Sequence, residues 1–122
     1  MSSIRVQRFE KELTRLFSTT LSSKIRNSNL SWVTITAVRL SSDLSNAKVY
    51  FTHLSSKSHK FLENELNKSV GVFKNEIARA KIMRTIPEIT FFFDELAEKA
   101  NRLEKLFKQI HAEDKEEGNA TE

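Results

Sequence analysis

The sequence predicts an α+β domain in which a three-stranded sheet packs against helices, and three observations predict it. Residues 58–94 read as a long amphipathic helix, a proline stop and a strand. Upstream lie two stretches of period-two alternation joined by about six polar residues, the pattern of an antiparallel pair. Apolar residues stepping by four and three open the chain and close it, giving a helix at each end.

The first helix is expected over residues 3 to about 25, with Phe9, Leu13, Leu16, Phe17, Thr20 and Leu21 on one apolar face. Arg5, Arg8, Lys11 and Arg15 lie roughly opposite, interrupted by Glu12. Such a cationic stripe fits either a solvated face or phosphate contact. Asn27-Ser28-Asn29 is a turn-forming cluster. Strand one runs from Trp32 to Leu40. Val33 and Ile35 share one parity, and Val38 and Leu40 share the other. That slip implies a bulge near Ala37 or a strand covered on both faces. Strand two is Ala47 to Leu54, with Ala47, Val49 and Phe51 alternating against Lys48, Tyr50 and Thr52.

Ser58 is placed to cap the central helix. Its apolar face is Leu62, Leu66, Val70, Phe73, Ile77 and Ala80. Gly71, one of two glycines in the chain, interrupts that run. Glycine inside a helix costs roughly 1 kcal/mol relative to alanine, so a bend or a close backbone approach is expected there. Ile86-Pro87 ends the helical pattern, and Ile89, Phe91 and Phe93 form the third strand. Asp94 is placed to cap a last helix carrying Leu96, Ala100, Leu103, Phe107 and Ile110. A sheet with helices on one face would bury all these stripes together; the pattern leaves strand order open. The expected division is one domain over residues 1–111 and an acidic, disordered tail over 112–122.

At 122 residues the chain is long enough for one core. No apolar run is long enough to span a membrane, and the first residues lack the apolar middle of a signal peptide, so a cytoplasmic protein is expected. The absence of cysteine excludes disulfides, thiolate chemistry and cysteine-based zinc sites. Net charge is +4, but residues 1–87 hold 15 Lys and Arg against 6 acids, while residues 88–122 hold 5 against 10. A basic body suits a polyanionic partner such as nucleic acid, or is simply a basic surface.

His53, His59 and His111 fall on three different predicted elements without helical ligand spacing. Asp43 and Asp94 occupy a turn and a helix start, where short acids serve structure. There is no GxSxG nucleophile turn and no glycine-rich phosphate loop. A non-enzyme without metal or cofactor is expected. On a helical wheel Gly71, Lys74, Ala78 and Lys81 form one stripe, which Lys68 and Arg84 extend toward both ends. Small residues would admit a backbone, and the lysines would meet its phosphates. Alternatively, the small residues seat another helix and the lysines snorkel at its rim. Trp32 and Tyr50 are the candidates for base stacking, and packing roles are expected for both.

The stretch Met83-Arg84-Thr85-Ile86-Pro87-Glu88-Ile89-Thr90-Phe91, closing on Asp94, resembles the signature of the bacterial ribosome-binding factor A family. So do Val33-Thr34-Ile35-Thr36 through Val38, then Ser42-Asp43-Leu44, then Ala47-Lys48-Val49-Tyr50, in the same order and spacing. The resemblance covers roughly residues 4 to 110. It implies a K-homology (KH-like) fold of the second type, with a helix–kink–helix and a C-terminal helix. Family members carry an Ala-x-Gly kink instead of the glycine loop of ordinary K-homology domains. Here Ser69-Val70-Gly71 stands at that place, with serine for alanine.

The resemblance also implies an assembly factor that binds the immature small (30S) ribosomal subunit through 16S ribosomal RNA. It would assist late maturation and 5′-end processing, support growth in the cold, and be released by an assembly GTPase. From the stripes read above, this monomer would contact phosphates through Arg5, Arg8, Arg15, Lys68, Lys74, Lys81 and Arg84, with Gly71 shaping the RNA-binding surface. The competing expectation is a protein-interaction module that docks its last helix or tail on a basic ribosomal protein.

Overall fold

The computed structural model describes residues 3–120, with side chains described through Ile110. Helix α1 spans Ile4–Ser23. Ser3 starts it, its Oγ accepting the Val6 amide at 3.1 Å. A single 3-10 turn, Ser28–Leu30, leads to β1, Val33–Leu40, which pairs antiparallel with β2, Asn46–His53. The register shifts between Ile35 and Ala37, so Thr36 is the extra residue of a bulge. The parity slip has this cause: the bulge turns Val38 and Leu40 to the same buried face as Ile35.

Ser58 caps α2, His59–Lys68, by accepting the Phe61 amide at 3.1 Å. Helix α3 follows over Val70–Ala80. The bend expected at Gly71 lies at Ser69, whose φ of −95° and ψ of 5° leave the helical region. Its amide still reaches Leu66 O at 2.9 Å, and its carbonyl accepts from Val72 at 3.0 Å. The chain therefore turns with few orphaned backbone groups. Strand β3, Glu88–Phe93, pairs parallel with β2, giving a mixed sheet of order β1-β2-β3.

One face of this sheet carries Ile35, Val38, Leu40, Ala47, Val49, Phe51, Ile89 and Phe91 into the core. Opposite them lie Leu13 and Phe17 of α1, Leu62 and Leu66 of α2, and Phe73 and Ile77 of α3. Both sheet edges receive polar side chains from these helices. On β3, the Phe91 amide donates to Asn67 Oδ1 and the Phe93 amide to Glu63 Oε2, each at 2.9 Å. On β1, the Leu40 amide donates to Glu10 Oε2 at 2.8 Å, and Glu10 is only 6% exposed. A carboxyl so deep in the core is explained by that bond.

Helix α4 runs Glu95–Ala120. Asp94 caps it as expected, Oδ1 accepting from Ala97 at 3.0 Å, while Oδ2 accepts from the bulged Thr36 hydroxyl at 2.7 Å. The expectation that its apolar stripe is buried is overturned: Leu96, Leu103, Leu106, Phe107 and Ile110 are all more than half exposed. Helices α1 to α3 already cover the core face, which leaves α4 no apolar surface to join. The boundary drawn between 111 and 112 falls inside this helix, and residues 121–122 lie outside those described.

Glu10→Ala is expected to destabilise the fold by about 1–3 kcal/mol, because the buried Leu40 amide loses its acceptor. Glu10→Gln, which keeps an acceptor oxygen, should recover most of that loss. Urea denaturation midpoints of the two variants check this. Equal midpoints for Glu10→Ala and the parent would contradict it.

Candidate nucleic-acid interface

Two strained turns meet at one end of the domain. Helix α3 stops at Lys81, which adopts the left-handed conformation (φ 54°, ψ 36°) and donates its amide to Ile77 O and Ala78 O. Left-handed backbone at a non-glycine residue is disfavoured but ends a helix cleanly. The β1–β2 turn contains a second such residue, Leu44, at φ 64°. Asp43 organises that turn. Its Oδ1 accepts from Ser45 Oγ at 2.7 Å, Ser41 Oγ at 2.8 Å and the Ser45 amide at 3.1 Å. These bonds, led by the Ser45 and Ser41 hydroxyls, hold its carboxyl down at about 2. The Glu88 amide donates to Ser45 O at 2.9 Å, tying the turn to β3.

Between these turns and α1 lies a cleft of about 400 Å³ whose lining includes Arg5, Phe9, Asp43, Leu44, Met83 and Arg84. Arg5 is held there, its guanidinium carbon 5.5 Å from the Phe9 ring centre. A second cleft of about 380 Å³ shares Met83 and Arg84 and adds Ala78, Lys81 and Ile86. The fold thus gathers Arg5, Lys81 and Arg84, which lie far apart in sequence, around two adjoining depressions.

The other predicted residues do not join them. Arg15 lines a separate groove of about 900 Å³ between α1 and β1, together with Lys11 and Arg39. Arg39 was missed by sequence reasoning, although its outward parity on β1 was the available signal. Arg8 is exposed on α1. Lys68 lies 3.9 Å from Glu65, an exposed pair of small energetic weight. Lys74 is engaged, with Nζ 3.1 Å from Glu88 Oε2 and 3.2 Å from Oε1. Gly71 has a helical backbone, and a Cβ built on it would meet nothing within 4 Å. The seat for a neighbouring helix is therefore absent at Gly71, among the described residues.

Trp32, expected to pack, is 63% exposed. Tyr50 does pack, 6.0 Å from Phe92 on the outer sheet face. Two histidines that looked unrelated in sequence meet: His53 Nε2 and His59 Nδ1 are 2.9 Å apart. The His59 ring stacks on Phe93 at 3.5 Å and 7°, and its Nε2 lies 3.7 Å from Glu98 Oε2 of α4. Burial, then the nearby His59, push the His53 imidazole below its ordinary value. Among the described residues no group of three His, Cys, Asp or Glu side chains converges as a metal site, and no helix is long and apolar enough to cross a membrane.

Gly71→Ala should stabilise the domain by about 0.5–1 kcal/mol, since the methyl meets no atom and the backbone is already helical. A lower thermal midpoint for this variant would show that the glycine is needed. The His53 shift has a defined sign. Its folded value lies below the unfolded one, so the unfolded chain binds the proton more readily, and its stability contribution is present above about pH 6.5 and declines as pH falls below it. The thermal midpoint should drop between pH 7.5 and 5.5, and drop less in His53→Phe. Equal drops would remove His53 as the cause.

The family model described as ribosome-binding factor A matches residues 5–107. The chain is similar to the ribosome-binding factor A of Staphylococcus epidermidis, 34% identical over 118 residues covering 94% of this chain and 100% of that one. Its fold is similar to the crystal structure of ribosome-binding factor A from Thermus thermophilus (TM-score 0.64, 24% identity, 71% of this chain and 93% of that one). It is similar also to coordinates of a Thermus thermophilus ribosome-binding factor A homology model fitted into a cryo-EM map of its 30S complex (TM-score 0.59, 25% identity, 69% and 89% covered). The KH-like α+β fold expected of the sequence, with its helix break within Ser69-Val70-Gly71, is the fold found.

Proposed function

Because this chain belongs to the ribosome-binding factor A family, we propose that it binds the immature 30S ribosomal subunit through 16S ribosomal RNA. In this reading it assists late maturation and 5′-end processing as a monomeric, cytoplasmic, non-catalytic factor, supports growth in the cold, and is released by an assembly GTPase. The observation that carries the reading is the convergence of Arg5, Lys81 and Arg84 at one end of the domain. Side chains so placed exchange RNA counterions for direct phosphate contacts, which makes affinity fall steeply with salt. Arg8 and Arg15, and Lys11 and Arg39 beside them, extend positive charge along α1 and β1. Lys74 would exchange its ion pair with the exposed Glu88 for a phosphate, at small cost because Glu88 stays solvated. Lys68 is peripheral, and Gly71 lies on an open helix face that leaves room for an RNA backbone to approach.

A second reading rests on one observation, the unpartnered stripe of α4. There the protein would hold a basic ribosomal protein through α4 and its acidic end, without direct RNA readout.

Cosedimentation with precursor and mature small subunits across a salt series tests both readings. Binding that prefers the precursor particle and weakens with salt is expected. The double variant Lys81→Ala/Arg84→Ala should weaken binding and lower the log–log salt slope by about one for each phosphate no longer neutralised. Deleting residues 112–122 should leave binding intact. Retained binding in the first variant with loss in the second would favour the α4 reading instead.

A further inference from the structure

We propose that the cleft between the β1–β2 turn and the 82–87 loop holds one unstacked RNA nucleotide, its phosphate at Arg5 and Arg84 and its base edge at Asp43 Oδ2. The inference rests on the RNA-binding reading and adds the unit that is read and a residue that reads it. At about 400 Å³ the cleft falls within the roughly 300–1,000 Å³ typical of small-ligand sites. Its walls divide by chemistry. Leu44 and Met83 offer apolar surface for a base face, and Arg5, seated over the Phe9 ring, and Arg84 supply the cations for its phosphate.

Asp43 sets the specificity. The three bonds from Ser41 and Ser45 all land on Oδ1, which fixes the carboxylate, and Oδ2 is the oxygen assigned to the base edge. With its carboxyl held at about 2, the group is an anion at any physiological pH. An anion in a cleft built only for phosphate would oppose binding. Beside two guanidinium groups it instead favours a ligand that carries hydrogen-bond donors close to a phosphate, as a nucleotide with an exocyclic amine does. The backbone agrees: Leu44 and Lys81, the non-glycine residues with positive φ among those described, stand at the rims of this cleft and its neighbour. Such strain persists where the surroundings hold it, and it clusters at ligand clamps.

Fluorescence anisotropy with labelled hexacytidine and hexauridine tests this on the intact chain. The two bases differ at position 4, an amine in cytosine and a carbonyl in uracil. The donor that uracil retains, N3–H, lies between two carbonyl oxygens that repel a carboxylate. Hexacytidine is expected to bind about tenfold tighter than hexauridine. Asp43→Asn, which adds an amide donor, should level or reverse that ranking. Arg5→Ala and Arg84→Ala should weaken both oligomers alike and lower the salt slope by about one each. Equal binding of the two oligomers by the parent protein overturns the proposal whether or not any variant folds, and so does absence of binding to either. A ranking unchanged in folded Asp43→Asn overturns it as well. Cosedimentation with subunits, run in parallel, judges the parent reading separately: retained subunit binding without base preference removes the cleft alone. Cytosine preference without subunit binding supports the cleft and removes the parent reading.

Discussion

The packing of Phe73 is the contact on which the rest of the domain depends. Its ring meets Phe17 of α1 edge-on at 5.1 Å and Phe91 of β3 at 5.0 Å, and all three side chains are essentially inaccessible. Burying each contributes about 1.5–3 kcal/mol, and each ring pair adds about 0.5–1.5 kcal/mol. This contact explains why the central helix must break. An unbroken helix over residues 59–80 would be about 33 Å long. The eight-residue strands beneath it reach about 26 Å. Breaking at Ser69 lets α2 bury Leu62 and Leu66 while α3 changes direction to place Phe73 and Ile77 over the same sheet.

What was legible in the sequence followed from periodicity, and what was not followed from tertiary polar contacts. Helix and strand assignments came from spacing alone, and the parity slip between Ile35 and Val38 located the bulge within one residue of where Thr36 makes it. Capping by Ser58 and Asp94 is local chemistry and was readable for that reason. The residue pattern alone put the bend at Gly71, two residues past Ser69, because glycine suggested a need for backbone freedom that the helical Gly71 does not use, while the family resemblance placed it within Ser69-Val70-Gly71, where it lies. Nothing in the spacing of Glu10 told that it reaches the β1 edge, thirty residues away in sequence. The lysine stripe shows the same limit in the site. A helical wheel aligns Lys74 with Lys81, but only the fold shows Glu88 across from Lys74. Arg5 and Arg84 were named separately, and their convergence with Asp43 needed the third dimension.

Helix α4 inverts the usual order, in which an apolar stripe dictates burial. Its start is fixed by polar contacts: Asp94 bonds Thr36, and Glu98 faces both His59 at 3.7 Å and Arg102 at 2.7 Å. The His59 ring, stacked on Phe93, carries the link from the sheet to the helix. Beyond these two turns the stripe from Leu103 to Ile110 stays exposed. The direction in which α4 leaves is therefore set by a polar cluster rather than by a hydrophobic seam.

Sealing the sheet edges bears on where recognition takes place. A KH-like domain without its glycine loop lacks the flexible backbone clamp of ordinary members, and here Asn67 and Glu63 occupy the outer amides of β3 while Glu10 occupies one on β1. Those amides are unavailable to an incoming strand or to a nucleotide base. Donors and charge are instead concentrated at the end of the sheet, where the chain leaves β1 and α3 through left-handed residues. Loops in that position are held from both sides, by the Ser45–Glu88 backbone bond and by the packing of Leu44, Ile82 and Met83 on the core. In the RNA contact proposed here, a rim held in this way would lose little entropy on binding, so its few cations and one fixed carboxylate would discriminate where a mobile loop would mainly attract.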